Sequence, residues 1–222
     1  GMRIARSHAG DPAFHGQAGA QAARPWAVSA LETYLECPFK FFAQRVLRLE
    51  EEPDDEEVMD PRRQGQFVHE VFEKFFARWQ ESGRQAVTPG NLADARALFE
   101  EVVEECLGAL PDTEAALERT RLLGSSAAAG LGDAVLRMEA ERPAGVTARL
   151  LEHKLEGEFT FETGAGPRVV RLKGKADRVD LLEDGTFRLI DYKLGWPPNR
   201  ARALQLPIYS LCAEQQFTGR LG

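Results

Sequence analysis

The sequence predicts a mixed α/β fold, in which a helical half precedes a β-meander and a closing helix. Two patterns support this prediction. Helical apolar spacing dominates residues 26–142, whereas residues 146–194 alternate apolar and polar positions between glycine-containing turns. The 222 residues are enough for one sizeable core, or for one core with a helical appendage.

The N-terminal part of the helical half begins after residues 1–25, which have no periodicity and are expected to form a flexible lead-in. Ser29 and Glu32 match a capping box, which predicts a helix starting directly after Ser29. Pro38 suits the first turn of a second short helix. Residues 50–60 hold eight acids and no base, so we expect a solvated linker there. The chain carries a net charge of −7, and outside this linker it is nearly neutral, so charge neither favours nor excludes a nucleic-acid partner.

The clearest helix is predicted over residues 61–82. Its apolar positions form one stripe made of Val68, Val71, Phe72, Phe75, Phe76 and Trp79. Helices are also predicted over residues 91–107 and 112–141, and three glycines weaken the middle of the latter. Three β-like segments follow, over residues 146–161, 168–182 and 186–194, and a helix over residues 200–216 closes the chain.

The hydropathy and the cysteine content of the sequence indicate the cellular compartment. No apolar run approaches the ~20 residues of a membrane span, and the N-terminus lacks a signal-peptide-like apolar segment, so we expect a cytoplasmic protein without a membrane anchor. The three cysteines, Cys37, Cys106 and Cys212, are odd in number and far apart. They predict free thiols rather than a disulfide framework or a zinc site.

A predicted β-hairpin brings charged residues together. Glu183, Asp184 and Gly185 form a turn signal, with Gly185 in the left-handed position. The strands then pair Leu181 with Phe187, Val179 with Leu189, and Asp177 with Asp191. Lys193 shares the face of Asp191 because it lies two residues further along the strand.

The two carboxylates of this hairpin would repel each other unless a cation or protons lie between them. Hard divalent ions prefer such oxygen ligands, and a metal there can activate water for attack on a phosphate. Lys193 is placed to orient that water or to neutralise phosphate oxygens. Spacing alone favours the other interpretation, a surface hairpin with scattered charges.

Five sequence elements, in order, resemble the PD-(D/E)xK nuclease superfamily in its RecB/AddB branch. GKADRVD and LIDYK resemble the two central motifs, GQFVH the upstream helix, QLPIY a QxxxY motif, and SALETYLECPF the segment that opens AddB-type domains. The resemblance implies a restriction-endonuclease-like core over residues 26–222, with a central mixed sheet flanked by helices and an inserted helical region. It also implies a further core strand after the last helix, which we expect to be missing here.

The resemblance assigns roles to individual residues. Asp177, Asp191 and Lys193 would be catalytic. His69, Asp177, Asp191 and the backbone carbonyl of Tyr192 would hold Mg²⁺ or Mn²⁺. Gln205 and Tyr209 would contact DNA or brace the site, and Glu152 would be a supporting acid. Some AddB-type domains carry an iron–sulfur cluster that needs four thiolates; with three cysteines, no cluster is expected in this chain.

The implied function is a metal-dependent deoxyribonuclease domain, chiefly an exonuclease, that acts with a helicase domain or subunit in DNA repair and recombination. Two alternatives stay open: a non-catalytic DNA-binding or scaffold module, and a standalone nuclease of the CRISPR-adaptation type.

Overall fold

The computed structural model describes residues 24–49, 61–194 and 203–217. The helices are α1 (Val28–Glu36), α2 (Pro38–Phe41, continuing into a π-helical turn, Phe42–Val46), α3 (Pro61–Glu81), α4 (Leu92–Leu107), α5 (Asp112–Leu123), α6 (Leu131–Glu141) and α7 (Gln205–Phe217). The strands are β1 (Trp26–Ala27), β2 (Val146–Thr163), β3 (Gly166–Leu182) and β4 (Phe187–Ile190). The predicted mixed α/β fold is confirmed.

The sheet is organised around β3. The long strand β2 pairs antiparallel with β3 along one edge. The other edge is shared, because β1 runs parallel to β3 at Leu172 and Lys173 and β4 runs antiparallel to it from Arg178 to Leu181. Among the described residues, positions 174–177 of β3 therefore have no strand partner on this edge. This opening includes Asp177.

Two hydrophobic cores lie on either side of the sheet. The helical core is formed by α3 to α6, and the whole predicted stripe of α3 is buried in it. The sheet core packs α7 and Val28 of α1 against the strands, with Leu155, Val179 and Phe217 fully buried. The opening in the β3 edge is thus framed by a helix of each core.

The predicted capping box at Ser29 is wrong. Helix α1 begins at Val28, because β1 delivers an extended residue, Ala27, directly before it. Ser29 is then inside the first turn, where its carbonyl accepts a hydrogen bond from the Thr33 hydroxyl (2.9 Å). Glu32 accepts instead from the backbone amides of Leu204 and Gln205, at 2.9 and 3.2 Å. Those amides have no helical partner at the start of α7, so Glu32 caps a different helix.

Other boundaries also differ. The single helix predicted over residues 112–141 is two helices, broken between Gly124, whose φ of 87° favours glycine, and Gly130. Strand β4 ends at Ile190, four residues earlier than predicted. The lead-in up to residue 23, the acidic linker at 50–60 and residues 200–202 of the closing helix lie outside the described residues.

The helices of the described ranges are all too short or too polar to serve as bilayer-spanning segments.

Candidate active site

The hairpin of β3 and β4 has the predicted register. Leu181 pairs with Phe187 and Val179 with Leu189, and Gly185 in the turn has a φ of 76°. The apolar pairs near the turn face the sheet core, as expected. Because β4 stops at Ile190, which pairs with Arg178, Asp191 follows directly on the strand and leaves the sheet near Asp177.

In both long strands, the side chains at alternating positions change from one face of the sheet to the other at a single residue. In β2, Arg149 and Leu151 lie on the helical-core side, whereas Leu155 lies in the sheet core. Simple alternation would keep all three on one face. In β3, the Arg178 guanidinium lies over Phe76 of the helical core, whereas Ala176 packs in the sheet core. The switches fall at Glu152 and Asp177.

Glu152 and Asp177 oppose each other across the sheet, since Leu151 pairs with Arg178 and His153 with Ala176. Glu152 has a φ of 48°, in the left-handed region that side chains rarely occupy. The pairing register of β2 and β3 is the same before and after these two residues, because both strands change faces at the same level. Such local irregularities re-aim side chains and concentrate near functional sites. Here the irregularity turns two carboxylates towards α3.

Donor atoms of three side chains converge at this point. One ligand atom each from His69, Glu152 and Asp177 lies within 4.8 Å of the others. The His69 Nδ1 atom is 3.3 Å from Asp177 Oδ1, and its Nε2 atom is 2.6 Å from the Tyr192 carbonyl oxygen. The second Asp177 oxygen accepts from the Tyr192 amide at 2.7 Å. Two carboxylates, an imidazole and a carbonyl oxygen are a donor set that fits a divalent cation.

The pKa of His69 reflects the negative charge of this cluster. The hydrogen bond with Asp177 raises the pKa of His69, and burial opposes that rise. Both ring nitrogens face oxygen acceptors, so the imidazolium form satisfies both contacts. The negative charge that favours a proton on His69 would equally favour a bound cation.

Asp191 and Lys193 form the other half of the candidate site. Lys193 Nζ lies 3.0 Å from Asp191 Oδ1. The Asp191 carboxyl is largely buried, and this burial raises its pKa, although Lys193 opposes the rise. Asp191 is not a member of the compact donor group of His69, Glu152 and Asp177. Glu152, assigned a supporting role from sequence, takes that place, and it also forms an ion pair with Lys175.

Tyr192 is fixed by the helical core. Its ring stacks on Phe72 with centroids 4.7 Å apart, and its hydroxyl accepts a hydrogen bond from Arg178 at 3.3 Å. Burial raises the pKa of Tyr192 to about 12, so the phenol stays protonated at neutral pH. Because the ring is held, its backbone amide and carbonyl are held against Asp177 and His69.

Arg178 belongs to a buried ion cluster that the sequence did not indicate. Three arginines, Arg149, Arg178 and Arg188, surround the carboxylates of Asp180 and Glu139. Alternating charged residues in a strand are usually solvated, so the pattern alone carried no signal. The cluster acts on the site by positioning Tyr192.

Gln205 and Tyr209 line a cleft of about 500 Å³ beside the strands. Tyr209 is buried against Gly174, where an added Cβ would lie 2.0 Å from the tyrosine ring. Burial raises the pKa of Tyr209, and a backbone hydrogen bond with Lys175 opposes that rise. The structure thus places Tyr209 as a packed group next to the acidic cluster, with Gln205 one turn earlier.

The fold and this site define a class of protein. A family model of the PD-(D/E)XK nuclease superfamily matches residues 25–221, so the chain belongs to this superfamily. Its mixed sheet flanked by helices is consistent with the restriction-endonuclease-like fold of that family.

The chain is also similar to individual curated proteins, which are subunits of ATP-dependent helicase/deoxyribonucleases. The one from Moorella thermoacetica is 32% identical over 211 residues that cover 82% of this chain and 17% of that protein. The one from Ruminiclostridium cellulolyticum is 29% identical over 178 residues, covering 76% of this chain and 15% of that protein. The chain therefore spans about a sixth of the length of these relatives.

Proposed function

We propose that this chain is a metal-dependent deoxyribonuclease domain that hydrolyses phosphodiester bonds, chiefly as an exonuclease. The observation that carries the proposal is the convergence of donor atoms from His69, Glu152 and Asp177 within 4.8 Å. A scaffold that only bound DNA would have no need to hold two opposed carboxylates at a strained backbone position.

The proposed metal ligands are His69, Asp177, Asp191 and the Tyr192 carbonyl, with Glu152 as an additional carboxylate. Mg²⁺ and Mn²⁺ are the cations that this oxygen-rich set suits best. Such a cation would lower the pKa of a bound water and offset negative charge on the phosphate.

The chain's own groups would position the reactants. Lys193, held 3.0 Å from Asp191, orients the attacking water and neutralises a phosphate oxygen. Gln205 and Tyr209 line the cleft through which the substrate approaches. The Tyr192 ring, clamped between Phe72 and Arg178, keeps the backbone ligand in place.

The relatives are subunits of ATP-dependent helicase/deoxyribonucleases. This similarity supports a proposed role together with a helicase domain or subunit, rather than as a standalone nuclease, and we place that role in DNA repair and recombination in the cytoplasm.

The test is digestion of end-labelled single- and double-stranded DNA with Mg²⁺, Mn²⁺ or a chelator. Lys193→Ala should lower the metal-dependent cleavage rate by roughly 100- to 1,000-fold, because the ammonium group that is held next to the reacting phosphate is lost. Lys74→Ala is the matched control. Lys74 is 41% exposed and lies 2.9 Å from Glu70, whereas Lys193 is 45% exposed and lies 3.0 Å from Asp191.

Lys74→Ala should cut at the wild-type rate. A folded Lys193→Ala protein that also cuts at that rate would overturn the catalytic assignment. A wild-type protein that binds DNA but never cuts it, with either metal, would favour the scaffold alternative.

A further inference from the structure

Two lysines form ion pairs with carboxylates of the candidate metal site. Lys193 pairs with Asp191, and Lys175 of β3 pairs with Glu152 of β2. The proposed function gives Lys193 a role next to the phosphate, but it gives Lys175 none. The contacts of Lys175 indicate what its ammonium group does before a cation is bound.

The ammonium group of Lys175 lies among acids. Its hydrogen bond with Glu152 raises the pKa of Lys175, burial opposes that rise, and the charges of Glu73 and Asp177 add to it. Lys175 is therefore charged at neutral pH. Two of these acids, Glu152 and Asp177, belong to the convergent group of metal donors. The same carboxylates thus attract the ammonium group and a divalent cation.

The backbone of Lys175 is held, whereas its side chain has room to move. The residue is paired with β2 on one edge, and its backbone shares a hydrogen bond with Tyr209. The side chain is 56% exposed and lines the cleft of about 500 Å³. A lysine ammonium lies at the end of a flexible four-carbon stem. It can therefore leave Glu152 without any change in the sheet.

Lys154 makes that departure unfavourable. Lys154 and Lys175 are direct cross-strand partners, and both are exposed. Like charges in this arrangement destabilise a sheet. The contact with Glu152 offsets the repulsion, and a Lys175 side chain released from Glu152 would still face Lys154. A cation that displaces Lys175 must supply the free energy that this contact contributes.

A cation bound by Glu152 would bring a second positive charge to a carboxylate that Lys175 already compensates. We propose that Lys175 is the built-in counter-ion of Glu152, that it competes with the divalent cation for this carboxylate, and that cation binding displaces it. Lys175 is then a positioning residue, which acts through Glu152 and sets the metal affinity of the site. This inference rests on the proposed metal-dependent function and concerns the regulation of that same site.

The test is calorimetric titration of the metal-free protein with Mn²⁺, at constant ionic strength and without DNA. Lys175→Met keeps the apolar stem and removes the charge. It should bind Mn²⁺ about tenfold more tightly than the wild type, the order expected for loss of one unit charge a few ångströms from the cation. Lys175→Arg keeps the charge and should bind no more tightly than the wild type. A surface ion pair without this role would leave the affinity unchanged.

Two further variants separate competition at Glu152 from a general effect of charge. Lys173→Met is the matched control, because Lys173 is an exposed lysine of the same strand. It lies about 7 Å further along β3, so its affinity should stay within about twofold of the wild type. Glu152→Gln removes the carboxylate for which the two cations compete. In that background, Lys175→Met should gain about twofold or less.

Unchanged affinity in Lys175→Met, an equal gain in Lys173→Met, or the full gain in the Glu152→Gln background would each overturn the role of Lys175. If neither the wild type nor Lys175→Met binds Mn²⁺, this role fails together with the proposed metal site. If Mn²⁺ binds with the expected order of affinities but DNA is never cut, the nuclease proposal fails and the role of Lys175 stands. If DNA is cut and Lys175→Met binds Mn²⁺ like the wild type, the role of Lys175 alone fails.

Discussion

Two clusters of charge lie three residues apart on β3, and they are built in opposite ways. Around Asp180, three guanidinium groups meet two carboxylates, and Arg178 and Asp180 are fully buried. Around Asp177, the carboxylates of Glu152, Asp177 and Asp191 meet the ammonium groups of Lys175 and Lys193, both of which are exposed. The Asp180 cluster has more guanidinium groups than carboxylates, whereas the Asp177 cluster has more carboxylates than ammonium groups.

The pKa values of the two clusters move in opposite directions. Burial alone would raise the pKa of Asp180, but hydrogen bonds and charge from Arg178, Arg149 and Arg188 outweigh it, and the pKa is lowered. At Asp191 the same burial wins over Lys193, and the pKa is raised. A carboxylate that its own protein leaves undercompensated is one that an added cation stabilises. The Asp180 cluster is therefore a structural ion cluster, whereas the Asp177 cluster is a candidate metal centre.

Isosteric changes at the two aspartates give the largest expected difference. Asp180→Asn should lower the free energy of unfolding by about 3–5 kcal/mol, because buried guanidinium groups lose their partner. Asp177→Asn should cost less than about 1 kcal/mol in chelator, since it removes like-charge repulsion along with hydrogen bonds. Urea unfolding of both variants and the wild type measures the difference. Equal losses would contradict the contrast between the clusters.

The pH dependence of the free energy of unfolding provides a second test of the Asp180 ion cluster. Because the pKa of Asp180 is lowered in the folded protein, its contribution is present above the unfolded pKa and is lost as pH falls through the folded value. The stability gap between wild type and Asp180→Asn should therefore narrow in acid. A gap that stayed constant down to the acid unfolding transition would argue against an ionised, paired Asp180.

A divalent cation should produce the next largest effect. Mg²⁺ or Mn²⁺ at a hundredfold excess over its dissociation constant should stabilise the wild type by about 2.7 kcal/mol. Asp177→Asn should lose this gain. Asp133→Asn is the matched control, because Asp133 is a partly exposed, ion-paired aspartate of the helical core region. If metal stabilises Asp177→Asn as much as the wild type, the cation binds elsewhere.

The parts of the site that the sequence predicted depend on local rules. The hairpin register followed from a turn with Gly185 and from alternation over a few residues, and both hold in the structure. The α3 stripe followed from helical spacing, and it is buried throughout. His69 became a candidate only through its motif, because one histidine beside an apolar stripe has no distinguishing pattern.

The parts that escaped prediction depend on contacts between distant residues. Glu32 satisfies amides 172 and 173 residues away, so its capping-box spacing pointed to the wrong helix. Charged strand residues are usually solvated, yet Arg178 and Arg149 are buried because acids from other segments meet them. The left-handed Glu152 breaks the alternation from which its strand was predicted. Pattern rules assume regular strands, and this site lies where the strands are irregular.

The smallest predicted effect tests that irregularity directly. Glu152→Gly and Glu152→Ala both remove the carboxylate and its ion pair with Lys175. Only glycine relieves the φ of 48°. In chelator, Glu152→Gly should therefore be more stable than Glu152→Ala by about 1 kcal/mol, as measured by urea unfolding. At ordinary strand positions the order is reversed, with glycine about 0.5–1 kcal/mol worse.

Glu158 provides that ordinary position on the same strand, since it is an exposed member of an ion pair, with Arg171. Glu158→Gly should be less stable than Glu158→Ala. Both Glu152 variants should bind Mg²⁺ or Mn²⁺ more weakly than the wild type, and by similar factors, because both lack the carboxylate. If the Gly and Ala variants at 152 follow the order at 158, the strand is regular there in solution. The strained carboxylate would then no longer distinguish the Asp177 cluster from the Asp180 cluster.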